Sequence, residues 1–219
     1  MNRSLTVLLT VALAVLAFGF GYYTFERSSR HVRTERAVAI HADEVFRSPS
    51  SIVAGNPDGD VSVVAFFDYN CPYCRKDAPD LVKLVADDGR VRLVLKELPV
   101  LGPDSEAAAR IALVADAQGK YFEFHKRLIG ANGRVTRARA LSISRDLGLD
   151  MARLERDMDD PAIAAALLAN TRLADELGVR GVPFYLVGDR VVPESSQGFY
   201  GRLAQSVAEV REKGCRAVC

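Results

Sequence analysis

Four cysteines fall into two close pairs, Cys71 with Cys74 and Cys215 with Cys219, and pairs at such short spacing call for a chemical explanation. Cys71-Pro72-Tyr73-Cys74 is a C-x-x-C. That spacing serves half a zinc site, a soft-ion site or a redox dithiol, and two cysteines can also simply fill core. A zinc site needs four ligands, yet no second C-x-x-C and no H-x-x-x-H accompanies the pair, and His31, His41 and His125 are scattered. A Cu(I) site would draw Met or His ligands, and none lies beside Cys71. Neither a metal nor a cofactor is therefore expected. The redox reading has a local physical basis. Cys71 ends a strand-to-helix turn and Pro72 fits the first helical position, so the Cys71 sulfur would face the unpaired N–H groups and positive pole of a helix. Such surroundings favour thiolate and make Cys71 the expected nucleophile. Cys74, about one turn on, is placed to resolve a mixed disulfide held at Cys71.

The elements that must position this pair can be traced along the chain. Residues 61–67 are β-branched, aromatic and apolar on both alternating faces, as in a central strand covered on two sides. After the C-x-x-C comes a helix with Leu81, Val82 and Val85 in one stripe, interrupted by Pro79 and stopped at Gly89. A second buried strand over residues 91–96 completes a β-α-β unit. Pro103 and Asp104 open a helical region with Ala107, Ala108, Ile111 and Ala115 on one face. It ends in a well-punctuated helix, with Asp160 as N-cap, Pro161 at the first position and Gly178 beyond the C-terminus. Residues 182–187 then read as a strand, Gly188-Asp189 as a hairpin turn into residues 190–192, and a last helix carries Leu203, Val207 and Val210 to Gly214. The order is β-α-β, a helical insert over about residues 103–178, then β-β-α.

The N-terminus carries a different message. Residues 5–25 hold no charge, a run long enough as a helix to cross the roughly 30 Å hydrocarbon core of a bilayer. Tyr22 and Tyr23 would sit at the interface. The expectation is an uncleaved membrane anchor over residues 1–25, with a cleaved signal ending near Gly19-Phe20-Gly21 as the alternative. Arg27, Arg30, Arg33 and Arg36 follow the run and only Arg3 precedes it, which by the positive-inside rule would keep the body in the cytoplasm. The dithiol chemistry outweighs that charge count and places the body outside. Residues 26–51 read as a charged stalk or linker, residues 52–214 as one α/β domain and residues 215–219 as a cysteine-containing tail. A net charge of +1 leaves no basic excess for phosphates, which argues against a nucleic-acid partner.

The run Val63-Val64-Ala65-Phe66-Phe67-Asp68-Tyr69-Asn70-Cys71-Pro72-Tyr73-Cys74, followed by Gly181-Val182-Pro183-Phe184, resembles the DsbA-like family of exported disulfide oxidoreductases in the thioredoxin superfamily. The resemblance spans about residues 52–211. It implies a thioredoxin-like fold with the helical domain inserted between the β-α-β and β-β-α halves, preceded by the transmembrane or signal helix. It further implies a cis Pro183 facing the dithiol, with the Val182 backbone free to pair with an extended substrate. Implied partners are cysteine-containing exported proteins and a membrane redox protein that resets the dithiol, at the periplasmic face of the inner membrane. Val182 before Pro183 matches the oxidase pattern, whereas Tyr73 is also seen in isomerases, so isomerase or reductase activity stays open as an alternative. One departure stands out. The family often buries an acidic residue six positions before the nucleophile, and here that position is Ala65. Lys96 and Glu97 are candidate substitutes or else solvent-facing strand-end charges. Cys215 and Cys219 are expected to form a local, non-catalytic disulfide, with an electron-relay role or metal binding as alternatives.

Overall fold

The computed structural model describes the backbone of residues 3–193 and 198–216 and the side chains of residues 10–26, 32–193 and 198–216. A long helix α1 (Arg3–Ile40) is followed by a π-helical turn (Asp43–Arg47), a strand β1 (Ile52–Gly55), then β2 (Val61–Phe67), α2 (Pro72–Asp87) and β3 (Val91–Glu97). Five helices come next: α3 (Pro103–Asp116), α4 (Tyr121–Ile129), α5 (Arg137–Asp146), α6 (Met151–Asp157) and α7 (Pro161–Glu176). The chain closes with β4 (Phe184–Val187), β5 (Arg190–Val191) and α8 (Phe199–Lys213).

The strands form one mixed sheet in the order β1-β3-β2-β4-β5. β2 and β3 run parallel, with Val61 opposite Val91 and Phe67 opposite Glu97, while β4 runs antiparallel to β2, with Ala65 opposite Tyr185. The β-α-β, helical-insert and β-β-α order therefore stands. β1, which pairs antiparallel with β3, was not foreseen, because four residues at a sheet edge carry too short an alternation to be read.

β2 is apolar on both sides for a visible reason. Val61, Val63, Ala65 and Phe67 pack on one face against Ala78, Leu81 and Leu84 of α2 and Leu203, Val207 and Val210 of α8. Val64 and Phe66 face the other way, against Leu173 and Leu177 at the α7 end together with Val38, Val45 and Phe46. The charged segment read as a stalk thus ends in core residues. Thr34 Oγ1 donates to the Leu177 carbonyl at 3.1 Å, and His41 pairs with Glu44 and Glu176. The expected boundary of α7 is also seen: Asp160 Oδ1 accepts from Ala162 N at 2.7 Å, and Gly178 takes the left-handed φ of +72° that ends the helix.

The membrane-spanning expectation for residues 5–25 is not supported. Among the described residues no helix is long and apolar enough to cross a membrane. Within the apolar run, the side chains of residues 5–9 lie outside the described set. Those of residues 10–25 are exposed on helix α1.

Phe46 is one of the largest fully covered side chains on the second face of the sheet. Phe46→Ala should lower the unfolding free energy by about 3 kcal/mol or more, measured by urea denaturation. A loss within about 0.5 kcal/mol, the surface range, would show that the π-helical turn after α1 does not close this face.

Candidate active site

Where β2 runs out, the chain turns through Asp68, Tyr69 and Asn70 into α2. Asp68 is buried, and its Oδ1 accepts from Asn70 N at 2.7 Å and Ser105 Oγ at 2.8 Å while Oδ2 accepts from Leu101 N at 2.9 Å. Asn70 reaches in the opposite direction, donating from Nδ2 to the Val135 carbonyl at 2.9 Å and accepting from Val135 N at 2.8 Å. These bonds fasten the turn to the helical insert. Arg75 adds another, its Nε donating to the Ile129 carbonyl at 3.1 Å.

Cys71 is the N-cap of α2, extended at φ −75° and ψ 116°, with Pro72 at the start of the helix. Its Sγ accepts from Cys74 N at 3.3 Å and donates to the Val182 carbonyl at 3.4 Å. Both cysteines are free thiols, 3% and 2% exposed. Tyr73 is exposed between them, and the Val182–Pro183 peptide is cis. The geometry therefore gathers Cys71, Cys74, Pro72, Tyr73 and Val182 at one point, from β2, α2 and the approach to β4. Burial, and next the hydrogen bond to Cys71, push the Cys74 thiol well above its ordinary range. The two sulfurs are thus chemically unequal: one carries a helix-start N–H, and the other is held as a neutral thiol.

A family model for the DSBA-like thioredoxin domain matches residues 62–200. The chain belongs to that family of thiol-disulfide oxidoreductases. A solved thioredoxin-like oxidoreductase from Silicibacter pomeroyi DSS-3 is similar at 44% identity and a TM-score of 0.73, over 78% of this chain and 97% of that one. Among curated proteins, the "Probable disulfide bond formation protein D" of Bacillus anthracis is 26% identical over 166 residues, covering 69% of this chain and 76% of that protein. The Na(+)/H(+) antiporter NhaA 1 of Salinispora arenicola is 31% identical over 140 residues, 63% of this chain. The chain spans only 22% of that antiporter's length.

The DsbA-like fold explains where the two candidate relay residues go. Successive strand residues face opposite ways, so Lys96 and Glu97 leave β3 on different sides of the sheet. Both are buried, and neither is a solvent-facing strand end. Lys96 Nζ donates to the Glu44 carbonyl and to Ser51 Oγ, each at 2.6 Å, on the face away from the thiols. Burial lowers its pKa to about 8. Glu97 lies on the thiol face, where its Oε1 accepts from Tyr69 Oη at 2.9 Å and Tyr121 Oη at 2.8 Å. The Tyr69 hydroxyl is also 3.1 Å from His125 Nδ1. Burial raises Glu97 to about 8 and lowers His125 to about 4. Tyr121 and His125 were missed, since in the sequence they are only polar members of an amphipathic helix.

A second group on the thiol face was also missed. Tyr185 stands opposite Ala65 in the sheet, and its hydroxyl donates to Asp77 Oδ2 at 3.3 Å. The Asp77 spacing, three residues after Cys74, was present in the sequence, but its meaning depends on Tyr185 reaching it.

The end of α8, from which the chain continues to Cys215, lies at the far end of the sheet. Arg211, near the end of α8, pairs with Asp60 just before β2 and with Asp88 just after α2, whereas Cys71 follows the opposite end of β2. Cys215 is disulfide-bonded; its expected partner, Cys219, lies outside the described residues.

Glu97 yields a test of the buried cluster. The folded state keeps the Glu97 proton up to about pH 8 while an ordinary carboxyl releases it near 4.5, so between those values the native state binds more protons and stability falls as pH rises. His125 acts oppositely, adding stability from about pH 4 to 6.5, and Lys96 adds stability only above about pH 8. The Glu97 effect is thus cleanest from pH 6.5 to 8. Glu97→Gln should flatten a downward slope there of at most about 1.4 kcal/mol per pH unit, read from urea midpoints against pH. Parallel curves for the two proteins would refute the assignment.

Proposed function

We propose that this protein introduces disulfide bonds into exported proteins through the Cys71–Cys74 pair, with Cys71 as nucleophile and Cys74 as resolver. The observation that carries the proposal is the placing of Cys71 Sγ on the Cys74 N–H at the start of α2. In the oxidised form a substrate thiolate attacks Cys71, the Cys71–Cys74 bond breaks, and Cys74 leaves with the electron pair and takes up a proton. A second substrate thiolate then attacks its own sulfur in the mixed disulfide. Cys71 leaves as thiolate, stabilised by the N–H it already accepts from and by the helix pole. Two electrons have moved from substrate to the pair. A membrane redox partner that accepts them resets the disulfide.

Val182 offers backbone beside Cys71 for an extended substrate segment, and exposed Tyr73 and Pro72 flank the approach. The name of the Bacillus anthracis relative supports disulfide formation as the direction. The disulfide at Cys215 fits a periplasmic, oxidising compartment, where such bonds persist, and the apolar residues 5–25 fit a cleaved export signal.

With Cys74→Ala, mixed disulfides to substrate should accumulate and be trapped on non-reducing gels, and with Cys71→Ala they should be absent. Accumulation in the second variant alone would reverse the roles. The reduction potential of the pair decides the direction: a value above about −150 mV fits a disulfide donor, and one near −270 mV a reductant. Replacing Cys215 and Cys219 together by alanine should leave substrate oxidation within about twofold of native. A collapse of re-oxidation by the native partner would make the tail pair part of the mechanism.

A further inference from the structure

Away from the thiols, three side chains that can ligate a metal converge where the end of α1 meets α7. His41 Nδ1 lies 2.8 Å from Glu44 Oε2 and 3.3 Å from Glu176 Oε2, and all three atoms fall within 4.8 Å of one another. One ring nitrogen carries one proton or one lone pair. It can therefore serve only one of the two carboxylates well, while the other is left beside a like charge. A cation among the three atoms would satisfy them all.

The position of Glu176 points the same way. It is the last residue of α7, whose final turn holds Asp175 and Glu176 and no basic residue. A helix C-terminus is a negative pole, where cations are stabilised and carboxylates are not. Glu176 thus calls for a positive partner. The segments that carry the three groups are held by the protein itself. His41 N donates to the Ala37 carbonyl, and the His41 carbonyl accepts from Val45 N, each at 2.9 Å. Val45 and Phe46 are buried on one side of the cluster, and Leu173, Ala174 and Leu177 on the other. Only the side-chain tips remain to be ordered by an ion.

We propose that His41, Glu44 and Glu176 bind a zinc ion that clamps the end of α1 to α7. One imidazole and two carboxylates form a donor set that suits Zn²⁺ better than the all-oxygen shells of Mg²⁺ and Ca²⁺. Bonds of about 2.0–2.2 Å in a tetrahedral arrangement place neighbouring ligand atoms roughly 3.3 Å or slightly more apart. The His41–Glu176 pair already has that spacing, and the exposed Glu44 side chain has to draw back from His41 by only about 0.5 Å. The two carboxylates balance the charge of the ion. A cavity of about 220 Å³ lined by Glu44 and Glu176 opens beside them, with room for a water in the fourth position. Lys96 and Arg172 line the same cavity, and their positive charge weakens the site, so that the clamp opens when free zinc is scarce. An occupied site fixes the direction in which α1 leaves the domain.

Isothermal titration of the full-length protein with zinc chloride tests the site. Cys71 and Cys74 are first oxidised to the disulfide, because free thiolates are themselves zinc ligands. One zinc per chain is expected, with Kd weakened at least about tenfold in His41→Ala and in Glu176→Gln. Asp43→Asn and Asp175→Asn, which remove neighbouring acids outside the cluster, should leave Kd within about twofold of native, since exposed charges at a distance are screened. Zinc should also raise the urea midpoint of the native protein and leave that of Glu176→Gln where it was, while the midpoints without zinc report that the variants are folded. An unchanged Kd in both ligand variants overturns the proposal, as does displacement of zinc by an equal concentration of Mg²⁺. Absence of zinc binding overturns it too, and is the result that a plain ion pair of His41 with the two glutamates would give.

Discussion

A helix start leaves N–H groups without partners, and in α2 one of them is met by the sulfur of Cys71. That bond places a helix-start donor on the sulfur to which the proposed function gives the attacking and leaving role. It depends on register. β2 must deliver Cys71 three residues after a buried Asp68, and the Asp68 and Asn70 side chains must hold the turn while Pro72 starts the helix. Asp68 ties the turn to Leu101 and Ser105, and Asn70 ties it to Val135. The helical insert is therefore more than a cover over the thiols; it supplies the donors and acceptors that fix the turn carrying them.

The parallel pairing of β2 with β3 extends the same logic into the core. Phe67 and Glu97 are register partners, so the last residue of β3 sits beneath the turn that Tyr69 begins to climb. A carboxyl there is tolerable because two phenols donate to it, and burial raises its pKa so that the neutral acid prevails below about pH 8. Unpaired and ionised, it would carry the several kcal/mol penalty of a charge in low dielectric.

Much of this could be read from the residues, and the reason is local. Two-sided apolar character in residues 61–67, the C-x-x-C at a strand-to-helix turn, and the caps at Asp160 and Gly178 are each properties of a short window. The unread parts join distant segments. Glu97 meets Tyr121 and His125 only after α4 folds back over the sheet, and Asp77 meets Tyr185 only once β4 has paired with β2. The burial of Val38, Val45 and Phe46 is of the same kind, since a charged and weakly periodic segment shows no apolar face until the sheet supplies one. The apolar run at the N-terminus misled for another reason. Hydropathy of a short window measures what a segment could enter, whereas among the described residues no helix combines the length and the apolar character that crossing a membrane requires.

The adjacent residues Lys96 and Glu97 show how the sheet keeps its two faces electrically distinct. Alternation along β3 sends the amine to the face covered by α7 and the end of α1, and the carboxyl to the face of the thiols. Both groups have pKa values displaced to about 8, so near pH 7 the amine is mostly charged and the carboxyl mostly neutral. The positive charge is taken up by the Glu44 carbonyl and Ser51 Oγ on its own side. On the thiol side, a neutral Glu97 adds no negative charge to oppose a forming thiolate at Cys71. An ionised carboxylate in that position would raise the cost of the thiolate through like-charge repulsion. Holding Glu97 protonated between two tyrosines thus keeps this buried acid from adding charge on the side of the sheet where the proposed function places the nucleophile.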